Sequence, residues 1–134
     1  MQPEAILETC LYADDLAAAE SFYREVFGLE RVTRSEGRHV FFRCGSGMLL
    51  IFNPAATSAA EPPSPIPRHG AAGPGHVCFR VAPQAFPDWY ERFQARGVPI
   101  EAVHTWPGGA RSLYVRDPAG NSVEIGEARM WGLS

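Results

Sequence analysis

The run Leu7-Glu8-Thr9-Cys10-Leu11-Tyr12 returns in the second half of the chain as His76-Val77-Cys78-Phe79-Arg80-Val81, and both runs are typical of β-strands. After each run, apolar residues recur at steps of three and four, which indicates an amphipathic helix. Gly28 ends the first of these helical patterns and Gly97 ends the second. The same strand-and-helix pattern therefore occurs twice in the chain. An internal repeat of this length determines the architecture.

Three further strand-like runs follow each predicted helix. They are Arg31–Arg34, His39–Arg43 and Met48–Phe52 in the first half, and Ile100–His104, Arg111–Arg116 and Ser122–Gly126 in the second. The sequence thus predicts an α+β domain in which two tandem βαβββ modules form a curved mixed sheet around an open-faced cavity for a metal or ligand. Within this single domain, 1–134, we place module one at 5–54, a connector at 55–74, module two at 75–127 and a tail at 128–134. We expect a stiff, extended connector without further elements, because residues 54–74 hold six of the twelve prolines.

Composition excludes several classes of function. The chain has twelve arginines and no lysine, so Schiff-base and other lysine-dependent chemistry is excluded. A net charge of −3 and widely scattered arginines argue against nucleic acid as a partner. The apolar runs are far shorter than the roughly 20 residues that span a bilayer, so no membrane segment is expected. Three cysteines without a Cys-x-x-Cys pair favour reduced thiols and a cytoplasmic location.

Strand alternation selects the side chains of the open face. Successive side chains of a strand point to opposite faces, so residues two apart share a face. The predicted open-face residues are Glu8 and Cys10 in the first strand, His76 and Cys78 in its repeat, and Ser122 and Glu124 in the last strand. One imidazole and two carboxylates are therefore expected on equivalent or adjacent strands.

Four short motifs follow one another along the repeat. They are Glu8-x-x-Leu11-x-x-x-Asp15, Phe22-Tyr23 followed by Gly28-Leu29, Gly75-His76-Val77-x-Phe79-x-Val81, and Asp117-Pro118-x-Gly120-Asn121-x-x-Glu124. In this order they resemble the vicinal oxygen chelate superfamily, which includes glyoxalase I, extradiol dioxygenases, fosfomycin-resistance thiol transferases and bleomycin-resistance proteins. The resemblance covers nearly the whole chain. It implies a divalent metal ion on the open face, held by the first and last strands of each module.

The resemblance implies Glu8, His76 and Glu124 as metal ligands. The fourth position of the family falls on Ile51 when Gly47–Ile51 is laid on Gly120–Glu124, and this departs from the four-ligand glyoxalase I pattern. Two carboxylates and one imidazole suit Mn²⁺, Fe²⁺, Zn²⁺, Ni²⁺ or Mg²⁺. Three protein ligands leave positions open for substrate, and Glu124 is expected to double as the catalytic base.

A further set of residues is predicted to contact a substrate. If Asp117–Gly120 form a four-residue hairpin loop, Leu113 lies opposite Glu124 and Arg111 shares its face. Arg111 would then hold a substrate carboxylate or phosphonate, with a surface position at the hairpin edge as the alternative. The other predicted substrate contacts are Ile51, Asn53, Cys10, Cys78, Trp106 and His69. Burial as small hydrophobes is the alternative for the two cysteines, and an ordinary loop position is the alternative for Trp106 and His69.

Two classes of function fit these residues. The first is a divalent-metal-dependent, glyoxalase-like lyase, isomerase or transferase, in which the metal acts as a Lewis acid on a small oxygenated substrate. The second is a metal-free protein that sequesters a small drug, as bleomycin-resistance members of the family do, because Ile51 replaces a ligand and the surroundings are apolar. A ring-cleaving dioxygenase is disfavoured, since Glu8 stands where the iron pattern of that group uses histidine.

The tail predicts an assembly. Residues 128–133 include Met, Trp and Leu, which a small monomer rarely leaves exposed. We therefore expect a homodimer, and packing of the tail on its own subunit is the alternative.

Overall fold

Module one forms a four-stranded mixed sheet with one helix on one face. The computed structural model describes all 134 residues. The elements are β1 (Glu8–Tyr12), α1 (Leu16–Ser21), β2 (Glu30–Ser35), β3 (His39–Cys44) and β4 (Gly47–Phe52). The strand order is β1-β4-β3-β2, and β1 runs parallel to β4.

Module two repeats this arrangement after the connector, which contains α2. The connector helix α2 comprises Pro54–Ser58. The elements of module two are β5 (His76–Arg80), α3 (Phe86–Ala95), β6 (Ala102–Thr105), β7 (Arg111–Arg116) and β8 (Ser122–Gly126). The strand order β5-β8-β7-β6 matches that of module one, with β5 parallel to β8. The prediction of an α+β fold with two tandem βαβββ modules is therefore confirmed, and its eight strands form two four-stranded sheets.

Local sequence explains the ends of α1. Asp15 adopts an extended backbone conformation, and its side chain accepts a hydrogen bond from the backbone N–H of Ala18 at 3.0 Å. The helix continues as a π-helical turn over Phe22–Val26 before the chain turns at Gly28, whose φ is +69°. A side chain disfavours that left-handed conformation, so glycine ends the helix here as the sequence predicts.

The connector contains a helix that the sequence analysis did not predict. Asn53 precedes it and accepts a hydrogen bond from the backbone N–H of Ala55 at 3.0 Å, and Pro54 occupies its first position. An asparagine cap followed by proline is a helix-start signal. The expectation of a connector without elements is thus wrong at residues 54–58, because proline was interpreted only as a marker of extended chain.

The two modules share one hydrophobic core. Seventeen buried residues from both modules form a single cluster, in which the Phe27 ring lies 5.0 Å from that of Phe79 and 5.6 Å from that of Phe93. The Tyr23 hydroxyl also donates across the module boundary to Asp117 Oδ2 at 2.7 Å. Because the helices of both modules pack into this core, the opposite face of each sheet is turned away from it. We call these two surfaces the open faces.

The chain ends in a short 3₁₀ turn, Ala128–Trp131, which follows β8 directly. None of the helices has the length and apolar character that crossing a membrane requires.

Candidate functional site

The open face of module two carries a buried carboxylate. Glu124 lies in the middle of β8 and is only 5% exposed. Its neighbours Val123 and Ile125 point into the core, so alternation directs Glu124 to the open face. The oxygen Oε1 is buried and has no hydrogen-bond partner. A buried, unpartnered carboxylate oxygen is costly, which marks Glu124 as a group that needs a ligand.

His76 stands beside this carboxylate. Its Nε2 lies 3.3 Å from Glu124 Oε2, and its Nδ1 lies 3.0 Å from the carbonyl oxygen of Ser122. A carbonyl only accepts, so Nδ1 carries a proton and donates a hydrogen bond to the Ser122 carbonyl, and Nε2 is the ring nitrogen that faces Glu124. Fixing one ring nitrogen by a backbone carbonyl is how metal-binding histidines are oriented. The His76 Nε2 atom and the Glu124 carboxylate therefore face the same position on the open face.

Two further side chains adjoin Glu124 from neighbouring strands. Tyr114 lies opposite Glu124 on β7, and Cys78 lies opposite it on β5. Burial raises the pKa of the Cys78 thiol to about 12, and the nearby Glu124 charge adds to the shift. Burial and the Glu124 charge also raise the pKa of Tyr114. Both groups therefore keep their protons at neutral pH, and Cys78 is a poor nucleophile.

Glu8 is separated from this pair. It is exposed on the open face of β1 in module one, opposite Met48. No group of three His, Cys, Asp or Glu side chains in the structure is arranged to hold a metal ion. The structure thus brings together His76 and Glu124, but not Glu8 with them.

The predictions for Arg111 and Leu113 are wrong. The loop between β7 and β8 has five residues, 117–121, so Arg116 pairs with Ser122 and Tyr114 pairs with Glu124. Leu113 is instead fully buried in the core. Arg111 lies on the helix side, where its Nε donates to Glu127 Oε1 at 2.7 Å and its guanidinium lies 4.4 Å from the centre of the Phe86 ring.

This error has a simple physical cause. A shift of one residue in register moves every side chain of a strand to the other face. The assumed four-residue loop therefore placed Leu113, instead of Tyr114, opposite Glu124. Only the loop length separates the two assignments, and Tyr114 is the site residue that the sequence analysis missed as a result.

The predicted fourth ligand position is also displaced by one residue. Ile51 is fully buried on the helix side, where it pairs with Val40 of β3. The residue opposite Cys10 is Leu50, just as Glu124 is opposite Cys78. Leu50 is therefore the module-one counterpart of Glu124, and the prediction for Ile51 is wrong. A leucine at this position still supplies no ligand.

Asn53 does not lie with the site residues, because its side chain caps α2. The sequence predicts Asn53 as a substrate contact, but its side-chain oxygen instead accepts from the backbone N–H of Ala55. Cys10 lies half-buried on the open face of β1, and burial raises the pKa of its thiol. All three cysteines of the chain are free.

The open face of module one is aromatic. His69 of the connector reaches this face, where its Nδ1 lies 2.7 Å from the Tyr12 hydroxyl and its ring lies 4.8 Å from that of Phe52. His39 stacks on Phe41 at 4.0 Å and also contacts the ring of Phe52. An apolar, aromatic surface with few charges suits a flat organic group rather than an ion.

Trp106 borders the open face of module two. Its indole N–H donates to the hydroxyl of Ser112 at 2.8 Å, and Ser112 is fully buried on that face opposite Gly126. The indole itself is 37% exposed. Trp106 and Ser112 thus form one end of the face on which Glu124 lies.

The family to which the chain belongs is shown by its sequence and its fold. It belongs to the Glyoxalase/Bleomycin resistance protein/Dioxygenase superfamily, whose model matches residues 5–125. The chain is 54% identical to lactoylglutathione lyase from Agrobacterium tumefaciens, over 99% of this chain and 100% of that one, with a TM-score of 0.96. This similarity supports a glyoxalase-like enzyme.

A more distant structure shows the same fold. A glyoxalase/bleomycin resistance protein/dioxygenase from Nocardioides is 23% identical, with a TM-score of 0.73, over 95% of this chain and 85% of that one. No curated protein matches the chain. The family is thus established by the model match and by the Agrobacterium enzyme.

Proposed function

We propose that the protein is a divalent-metal-dependent lyase that converts the hemithioacetal of a small 2-oxoaldehyde and a thiol, glutathione being the first choice, into a hydroxyacyl thioester. The observation that carries this proposal is the unpartnered buried oxygen Glu124 Oε1 beside the oriented His76 Nε2. The 54% identity to lactoylglutathione lyase from Agrobacterium tumefaciens supports the choice of substrate class.

The residues present fit a divalent cation. His76 Nε2 and Glu124 Oε2 are 3.3 Å apart, and a cation shared by them would neutralise the charge of the buried carboxylate. His76 and Glu124 would hold the ion, with Glu8 as the proposed third ligand. Imidazole and carboxylate donors suit Mn²⁺, Fe²⁺, Zn²⁺, Ni²⁺ or Mg²⁺. When bound, the ion would act as a Lewis acid on the substrate oxygens.

The reaction needs a base that moves one proton between neighbouring carbons. Glu124 Oε1 would accept the proton from the carbon that bears sulfur and return it to the adjacent former carbonyl carbon, while a proton passes between the two oxygens. No external oxidant or reductant is required. The buried setting of Glu124 excludes water from Oε1, and the Ser122 carbonyl holds His76 in place.

Thioester formation tests this proposal. The purified protein, after metal removal and reloading with each of the five ions, is assayed with methylglyoxal and glutathione. We expect activity with at least one ion, and Glu124→Gln should lower kcat by roughly 100-fold or more. Glu91→Gln, a matched change of an exposed residue on α3, should leave kcat unchanged. Wild-type protein that forms no thioester with any ion would contradict the proposal.

We further propose that Glu8 joins the site from a second copy of the chain. Within one chain only two donors meet, whereas catalytic metal sites commonly use three protein ligands. Glu8 is exposed on an open face turned outward, and Trp131 and Leu133 of the tail are 76% and 62% exposed. These features favour the predicted homodimer over a monomer.

Mixing two inactive variants tests this arrangement. Glu8→Gln and Glu124→Gln dimers are mixed, allowed to exchange subunits and assayed for metal binding and thioester formation. A shared site predicts recovery of about a quarter of the wild-type activity, because half of the dimers regain one intact site of two. No recovery after verified exchange, or a monomer mass by light scattering, would contradict it.

A second candidate function is metal-free binding of a small aromatic drug. The aromatic open face of module one favours it, together with Leu50 at the counterpart position of Glu124. Binding that survives EDTA and is lost in Phe52→Ala would support sequestration. Loss of all binding on chelation would count against it. The predicted cytoplasmic location fits either function and remains a prediction.

A further inference from the structure

Module one carries a group of arginines around one buried glutamate. Glu20 lies on α1, and its Oε1 accepts from Arg31 Nη1 at 2.8 Å and lies 3.5 Å from Arg24 Nη1. Its Oε2 lies 3.2 Å from Arg34 Nη1. We call these four residues the Glu20 cluster. Because three cations surround one carboxylate, the cluster itself has an excess of positive charge.

Two irregularities of the backbone bring the arginines to this place. Residues 31 and 34 are three apart, so they would face opposite sides of a regular strand. A register shift within β2 removes this difference, and Arg31 pairs with Phe42. Arg34 pairs with Val40, and both partners belong to the core, so both arginines lie on the helix side of the sheet. Arg24 lies in the π-helical turn that continues α1. Such β-bulges and π-helical turns recur at functional sites.

The cluster lines a cleft with a volume of about 780 Å³. The side chains of Arg24, Arg31 and Arg34 are between 39% and 54% exposed, so their guanidinium groups remain accessible. Arg24 and Arg31 each donate through Nη1 alone. A guanidinium carries several N–H donors in a planar fork, so most donors of these two side chains are free for a further acceptor.

Acidic side chains around the cleft limit what it can bind. Glu25 and Glu30 also line it, and the largely exposed Glu36 lies 2.6 Å from Arg34 Nη2. Glu30 in turn lies 3.5 Å from Arg43 Nε. A long polyanion would meet these carboxylates and be repelled, whereas a compact anion can contact the arginines alone. The cleft therefore suits a small anion better than a nucleic acid.

We propose that the Glu20 cluster binds a phosphate dianion, either inorganic phosphate or the phosphate group of a small phosphomonoester. Phosphate oxygens accept from guanidinium forks in a two-point arrangement, which arginine favours over any other side chain. Glu20 holds the arginines in place beforehand, so less side-chain freedom is lost when the anion binds. The site lies on the helix side of module one and is therefore separate from both open faces. It does not depend on the proposed lyase function.

Isothermal titration calorimetry with inorganic phosphate and with glycerol 3-phosphate tests this site, at pH 8 and at an ionic strength fixed with NaCl. We expect saturable binding with a Kd of roughly 1 mM or tighter in the wild type. Arg24→Gln should weaken it about tenfold, because one guanidinium is lost while Glu20 keeps Arg31 and Arg34 as partners. Arg96→Gln removes the same charge from an exposed residue after α3 and is the matched control.

The result that overturns the proposal is equally definite. The proposal fails if the wild type shows no saturable binding up to about 20 mM phosphate. It also fails if Arg24→Gln and Arg96→Gln bind phosphate equally well, because the anion then binds elsewhere on the chain. Tighter binding of glycerol 3-phosphate than of phosphate would support an organic ligand, and equal affinities would support recognition of the phosphate group alone.

A second variant changes the affinity in the opposite direction. Glu25→Gln removes a negative charge from the lining of the cleft, so it should tighten phosphate binding about threefold at low ionic strength. Glu91→Gln, on the exposed side of α3, is its matched control and should leave the Kd unchanged. This comparison remains decisive if Arg24→Gln does not fold. Unchanged or weaker binding in Glu25→Gln would contradict the assignment of the cleft.

Discussion

Removing the Tyr23 hydroxyl should destabilise the contact between the two modules. Tyr23 is fully buried, and its hydroxyl donates to Asp117 Oδ2 at 2.7 Å across the module boundary. Burial and the Asp117 charge raise the pKa of Tyr23 far above its usual value, so the phenol remains a donor at every accessible pH. Tyr23→Phe deletes this one donor and keeps the ring in place.

The remaining partners of Asp117 determine the magnitude. Its carboxylate still accepts from the Asn121 side chain at 2.9 Å and from the backbone N–H groups of Ala119 and Asn121. The carboxylate is thus not orphaned, and the loss should lie near the lower end of the range for a hydrogen bond to a charged group. We expect a decrease of about 1.5–2 kcal/mol in the free energy of unfolding. For a chain of this length, that corresponds to a fall in Tm of roughly 5–8 °C.

Urea unfolding followed by circular dichroism at pH 7 and fixed protein concentration measures this change. Tyr90→Phe is the matched control, because Tyr90 is 38% exposed. A double-mutant cycle with Asp117→Asn isolates the coupling between the two side chains. If Tyr23→Phe differs from Tyr90→Phe by less than about 0.5 kcal/mol, the hydrogen bond does not stabilise the modules as argued.

Three other predictions concern stability and reactivity. Burial opposes the ionisation of Glu127, yet hydrogen bonds from Arg111 and Arg129 lower its pKa in the folded state. Ionised Glu127 therefore stabilises the fold at a pH above its unfolded pKa of 4.5, and this stabilisation is lost as the pH falls through the folded pKa. The difference in unfolding free energy between wild type and Glu127→Gln should therefore be largest near pH 7 and shrink below pH 4.5, and a pH-independent difference would refute this. A Cβ on Gly75 would lie 2.9 Å from Leu11 Cδ2, so Gly75→Ala should cost about 1–3 kcal/mol in urea unfolding, which an unchanged midpoint would contradict. Because the Glu124 charge helps to raise the pKa of Cys78, Glu124→Gln should increase the rate of Cys78 alkylation at pH 8 several-fold, and an unchanged or slower reaction would show that the charge has no such effect.

The internal repeat predicts the modules because both halves carry the same local signals. The strands Arg111–Arg116 and Ser122–Gly126 agree with the structure residue for residue. These strands alternate cleanly between core and open face, so their pattern is unambiguous. The short helix at Pro54–Ser58 was missed because its five residues carry no apolar period, although its asparagine cap and proline were visible.

The register of β7 against β8 was not predictable from local sequence. Residue 121 belongs to the loop because the Asn121 side chain accepts from Gly75 N–H at 2.7 Å and donates to the Tyr12 carbonyl at 3.0 Å. Both contacts join distant parts of the chain. A four-residue and a five-residue loop are equally compatible with the motif, but they place opposite faces of β7 beside Glu124. The structure therefore places His76 and Glu124, which come from strands of clear alternation, side by side as expected, whereas Arg111 and Leu113 lie on the opposite face.

The two open faces differ in chemistry although the fold repeats. Leu50 and Glu124 occupy matching positions, and both are almost fully buried, at 7% and 5% exposure. Burying leucine is favourable in itself, whereas burying a carboxylate with one oxygen unpartnered costs free energy unless a proton or a cation accompanies it. Module one can therefore exist as a stable apolar surface without a ligand. Module two contains Glu124, and a bound cation would remove the free-energy cost of burying its carboxylate. Because the chain has no lysine, any positive charge next to Glu124 must come from His76, an arginine or that cation.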